Sequence, residues 1–87
     1  MVIFNGNKQE TDARILTLEE VIHIPIESDV WIQDKHYEDF VYAATYTGHG
    51  AYLNFYHSLL PKSEYRKQFV CWNKRPTKEQ TKEVEWL

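Results

Sequence analysis

An α+β fold is what this sequence predicts: a small curved antiparallel β-sheet or partly open β-barrel with a short N-terminal helix and a short C-terminal helix. Three observations predict it. The tetrads Thr17-Leu18-Glu19-Glu20 and Thr77-Lys78-Glu79-Gln80 have the spacing of helix-capping boxes and stand near opposite ends of the chain. Between them apolar and polar residues alternate with the period of two that half-buried strands require. Aromatic residues make up 15% of the 87 residues, which suits a chain so short that it buries only about 60–65% of its unfolded surface and has one core.

Each element follows in order. Residues 1–13 are mostly polar and aperiodic, and are expected to form a flexible or weakly structured lead-in to a single globular domain over residues 14–87. Thr17 caps a helix of one to two turns whose apolar stripe is Leu18, Val21 and Ile22, and Pro25 ends it. Residues 29–34, DVWIQD, alternate as a strand, and Lys35-His36 begins a turn. In the next run Phe40, Tyr42, Ala44 and Tyr46 share one face, with Val41, Ala43, Thr45 and Thr47 on the other. Gly48-His49-Gly50 is expected as the tight connection to a second run, in which Ala51, Leu53 and Phe55 oppose Tyr52, Asn54 and Tyr56. Residues 59–63 read as a turn leading to a helical turn over residues 64–67. The apolar run Phe-Val-Cys-Trp at 69–72 is a strand, stopped by Pro76. Thr77 then caps a helix over residues 78–84 that returns Val84 and Trp86 to the sheet, so that Trp72 and Trp86 are core or core-rim groups.

The same residues exclude several functions. A single cysteine, Cys71, rules out an internal disulfide and any multi-cysteine zinc site. No apolar run approaches the ~18 residues of a membrane span. The expectation is a cytoplasmic protein with no membrane association. His23, His36, His49 and His57 show no His-x-x-x-His spacing, so no metal is expected. Cys71 stands in an apolar strand, where a thiol is inert, and there is no phosphate-binding glycine loop and no Gly-x-Ser-x-Gly. The chain is expected to be no enzyme and to hold no cofactor.

Binding is the remaining class, and two surfaces compete for it. The net charge of −3 conceals a division. Residues 1–61 carry three basic residues against nine acidic, while residues 62–87 carry seven basic against four acidic. Arg66, Lys67, Lys74 and Arg75 lie in that basic part near Tyr65, Phe69 and Trp72, the combination of charge and stacking faces that binds single-stranded nucleic acid or nucleotides. Interleaved glutamates favour the plainer reading of a solvated face. The other surface is the hairpin with Tyr42, Tyr46, Tyr52 and Tyr56. Exposed tyrosines on a rigid sheet give large contact area with few rotors. Tyr46, Tyr52 and Tyr56, together with the four basic residues, are the candidate binding residues, for a host or phage protein first and for nucleic acid second. An unpaired edge strand would also permit homo-oligomerisation.

The host or phage context comes from a resemblance. RILTLEEV at residues 14–21, DVWIQD at 29–34 and CWNKRPTKEQTKEVEW at 71–86 resemble small phage- and prophage-encoded proteins, mainly of Gram-positive bacteria. Those share a Leu-Thr-x-Glu-Glu opening and an aromatic-x-x-Arg-Pro-Thr-x-Glu-Gln ending that closes on Trp. The likeness covers about residues 14–86. The group has no assigned activity, so the resemblance implies a mobile-element setting in the cytoplasm of an infected cell and carries over no catalytic residue.

Overall fold

The computed structural model describes residues 12–87; the expected lead-in lies, up to residue 11, outside the described residues. In chain order the elements are α1 (Leu18–Ile22), β1 (Asp29–Asp34), β2 (Tyr37–His49), β3 (Tyr52–Phe55), β4 (Ser58–Pro61), a 3-10 turn (Lys62–Glu64), β5 (Phe69–Trp72) and α2 (Lys78–Lys82). The five strands form one antiparallel sheet in the order β4-β3-β2-β1-β5, and β4 and β5 stand at its two ends, so the sheet is open. No helix among the described residues is long and apolar enough to cross a membrane.

Both capping boxes form. Thr17 Oγ1 accepts from the Glu20 amide at 3.0 Å while Glu20 Oε1 accepts from the Thr17 amide at 2.9 Å. Thr77 and Gln80 repeat the exchange at 3.1 and 2.8 Å. Each box gives partners to orphan donors at a helix start, which a five-residue helix has no other local means to satisfy. The side chains do further work in tying distant segments. Arg14 donates to both Glu20 carboxylate oxygens at 3.0 and 2.9 Å, and Gln80 Nε2 donates to the Ala13 carbonyl at 3.2 Å. Those hydrogen bonds from Arg14, followed by the one from the Thr17 amide, hold the Glu20 carboxyl at about 2, well below its ordinary value.

Strand register divides the side chains between two faces. Val30 lies opposite Ala44, Ile32 opposite Tyr42 and Cys71, Tyr46 opposite Phe55, and Leu53 opposite Leu60. This face is the core, shared with Leu16, Val21 and Tyr65. On the other face Trp31 lies opposite Ala43 and Trp72, and Gln33 opposite Val41 and Val70. There α2 covers one half of the sheet. Every residue of β5 is buried, which explains why it reads as an unbroken apolar run. The key to α2 is Gln33, fully buried, whose Nε2 donates to the Thr81 carbonyl at 2.9 Å and whose Oε1 accepts from Trp72 Nε1 at 2.8 Å. Tyr65 does the equivalent at the chain start: its hydroxyl donates to the Leu16 carbonyl and accepts from the Cys71 amide.

Three expectations are corrected. The Gly48-His49-Gly50 connection is instead the end of β2, with a register shift between Tyr46 and Gly48 and the turn at Gly50-Ala51. Gly48 sits at φ +135, open to glycine and strained for other residues, and a bulge of this kind bends the long strand. Residues 59–61, read as turn, belong to β4. Pro61 is tolerated because it ends an outermost strand, opposite Tyr52, where no neighbouring strand needs its missing N–H. The helical turn expected over residues 64–67 stands at Lys62–Glu64, and Arg66 follows it in the left-handed region at φ 71.

Candidate binding surface

A mismatch in strand lengths creates the surface. β2 has 13 residues and β3 has four, so β3 can pair with only part of it. That pairing begins at Tyr46↔Phe55 and runs toward His49, while β1 pairs with the other part of β2. On the β1 side, the stretch beyond β1 is filled by the turn before it: Glu27 donates its amide to the Tyr46 carbonyl at 2.6 Å and the Ser28 carbonyl accepts from the Tyr46 amide at 2.9 Å. On the β3 side nothing equivalent occurs. The chain turns back at Tyr56-His57, and the Tyr56 amide donates to the Thr45 carbonyl at 3.2 Å. Beyond that bond lies a groove of about 470 Å³, lined by Asp29, Tyr42, Ala43, Thr45, Tyr56 and Ser58 among others.

Strand alternation decides which backbone groups face the groove. The amide and carbonyl of Tyr46 both point toward β1's side. Tyr42 and Ala44 share that parity, so Val41, Ala43 and Thr45 direct theirs the other way, into the groove. The bond from Tyr56 to the Thr45 carbonyl has the parity this requires.

The electrostatics are acidic. Thr45 Oγ1 donates to Asp29 Oδ1 at 2.9 Å, and the Tyr56 hydroxyl donates to Glu27 Oε2 at 3.0 Å. Glu27 holds the Tyr56 phenol above its ordinary pKa by that bond and by its charge. Burial pushes the Tyr42 phenol up, and the charge of Asp34 adds to the rise. No lysine or arginine lines the groove. Glu27 itself adopts φ 75, uncommon for a residue with a Cβ, and is fixed there by its amide bond to Tyr46 and the Tyr56 hydroxyl.

The candidate residues separate into three groups. Tyr52 and Tyr56 are 46% and 59% exposed beside Leu59 at 64%, an apolar patch on β3, β4 and their turn where α2 does not reach. Tyr46 is corrected: at 1% exposure it is a core residue, because its register opposite Phe55 turns it to the inner face, where the two rings meet edge-on at 5.9 Å. The basic residues do not gather. Arg66 and Lys67 precede β5, and Lys74 and Arg75 follow it, with a four-residue strand of about 13 Å between the pairs. Arg66 donates its guanidinium to the Glu85 carbonyl at 3.2 Å, and the Arg75 guanidinium lies 5.2 Å over the Trp31 ring. Lys67 is exposed and Lys74 half-buried. The three rings expected beside them as stacking faces, Tyr65, Phe69 and Trp72, are 7%, 2% and 4% exposed.

Reading the sequence alone missed Ala43, Thr45, Asp29 and Glu27. The signal that could have found them is the unequal length of the two alternating runs on either side of Gly48-His49-Gly50. Comparison with protein-family models, with curated proteins and with solved structures finds no match.

Proposed function

We propose that this chain is a non-enzymatic accessory protein of phage or prophage type, acting in the cytoplasm by binding a host or phage protein through the corner where β2, β3 and β4 meet. The observation that carries the reading is the exposed patch of Tyr52, Tyr56 and Leu59 beside the groove, on ordered strands of a domain that buries its other large side chains. Cys71 supports it by default: fully buried, its thiol pushed up to about 12 by burial, it offers no nucleophile. Single-stranded nucleic-acid or nucleotide binding draws less support, because its stacking rings are buried and its cations are divided between the two ends of β5. Homo-oligomerisation through β4 draws less as well, since that edge is four residues long and ends in proline, two ways in which natural edges are kept from pairing.

The test is affinity capture with the tagged chain and with a Tyr52→Ser/Leu59→Ser variant, both checked by thermal melting. The wild type should retain one stoichiometric protein through nuclease treatment, and the equally stable variant should lose it. A partner that nuclease removes, or one the variant keeps, refutes the reading.

A further inference from the structure

We infer that the groove beside β2 receives an extended, lysine- or arginine-bearing peptide segment, which adds to the outer edge of β2 as a strand. The inference rests on the protein-binding reading and names what that partner presents. Backbone groups of Val41, Ala43 and Thr45 face the groove, an edge of about 13 Å over five residues that matches a short extended segment. Main-chain groups of this kind are normally paired or hydrated, and an incoming strand pairs them without any rearrangement of the sheet. The side of the groove is built to admit a backbone: Ala43 and Ala44 are small, and the Tyr42 and Tyr56 rings stand to either side as walls for alternate side chains.

Charge selects the occupant. Asp29 lines the groove, Glu27 is reached through the Tyr56 hydroxyl, and Asp34 lies near enough to Tyr42 to raise its phenol. No cation lines the groove to offset them, and the chain up to residue 61 carries nine acidic residues against three basic. An acidic segment would meet like charge on entry, whereas alternate lysines or arginines would meet Asp29 and Glu27. The strained turn at Glu27 has a use in this arrangement, since it holds a carboxylate at the rim.

The experiment selects random octapeptides on the full chain and then measures the enriched peptides by fluorescence anisotropy and by amide hydrogen exchange. Peptides with basic residues at alternate positions and no central proline should be enriched. On binding, the amides of Val41 and Ala43 should gain protection, while those of Tyr42 and Ala44, already directed to β1, should not change. Asp29→Asn should weaken binding about two- to fivefold. Ala43→Pro, which removes a groove-facing N–H outside the β1 ladder, should weaken it by about tenfold or more. Enriched peptides without basic preference, protection away from Val41 and Ala43, or no enrichment at all overturns the inference, as does a dimer of the chain that Ala43→Pro dissolves. Should the proline variant melt early, Asp29→Asn and the wild-type exchange pattern decide alone. A captured protein that is lost with Tyr52→Ser/Leu59→Ser but kept by Asp29→Asn and Ala43→Pro leaves the protein-binding reading standing and removes this inference. Capture of no protein, with selected basic peptides protecting Val41 and Ala43, does the reverse.

Discussion

Replacing Gln33 by leucine should be the most informative single change in this protein. The side chain is fully buried and joins three elements: β1, which carries it, β5 through Trp72, and α2 through the Thr81 carbonyl. Leucine has nearly the same volume and keeps the packing, so the change isolates the polar contacts. It leaves the buried Trp72 N–H without a partner, at a cost of about 1–3 kcal/mol. The Thr81 carbonyl, in the last turn of α2, loses its partner as well. Removal of a buried amide offsets part of this, and the net loss comes to about 2–4 kcal/mol. A domain of this size has about 4–13 kcal/mol in all, and each kcal/mol shifts Tm by about 4–8 °C, so Gln33→Leu should melt about 10–25 °C below wild type. Urea unfolding followed by tryptophan fluorescence measures the difference directly. Adding Trp72→Phe should cost less in the Gln33→Leu background than alone, since the indole N–H is already orphaned there. Gln33→Glu gives a pH test of the same contacts. Burial raises the folded-state pKa of that carboxyl above the ordinary ~4.3. The protonated acid can donate to Thr81 and accept from Trp72, so the variant should approach wild-type stability below about pH 4 and lose up to about 1.4 kcal/mol per pH unit as pH rises. A Gln33→Leu protein within about 0.5 kcal/mol of wild type would refute the assignment of Gln33 as the anchor of α2.

Tyr46 carries a buried hydroxyl without a hydrogen-bond partner. Tyr46→Phe should therefore be neutral or stabilising by up to about 1 kcal/mol in urea unfolding, and should leave partner binding unchanged. The Glu20 carboxyl should titrate at about 2 in carbon-detected NMR, against an ordinary value of 4.5, and move back toward that value in Arg14→Met. Since the folded value is the lower one, the contact stabilises the protein above pH 4.5, and that contribution is lost as pH falls toward 2. Cys71 should resist iodoacetamide at pH 8 in the native protein and react fully in urea, because burial holds its pKa at about 12; native labelling at the rate of the unfolded chain would contradict its place in β5.

What the sequence by itself determined is what short-range chemistry determines. A capping box needs only four consecutive residues, so Thr17 with Glu20 and Thr77 with Gln80 could be read directly, and both boxes are present. The alternation that placed Leu53 and Phe55 opposite Tyr52 and Tyr56 is likewise local, since successive side chains of a strand must point to opposite faces. Tertiary structure decided everything that depends on a partner distant in the chain. Alternation alone could not say which face of β2 is covered, and register opposite Phe55 sent Tyr46 into the core. Pro61 reads as a turn residue until its strand is seen to be the outermost. Gln33 looks like a surface amide in an alternating run until α2, which begins 45 residues later at Lys78, folds over it and supplies the carbonyl of Thr81. The groove has the same origin: it is the part of β2 that a four-residue β3 fails to reach, and a length difference becomes a site only when the two strands are paired.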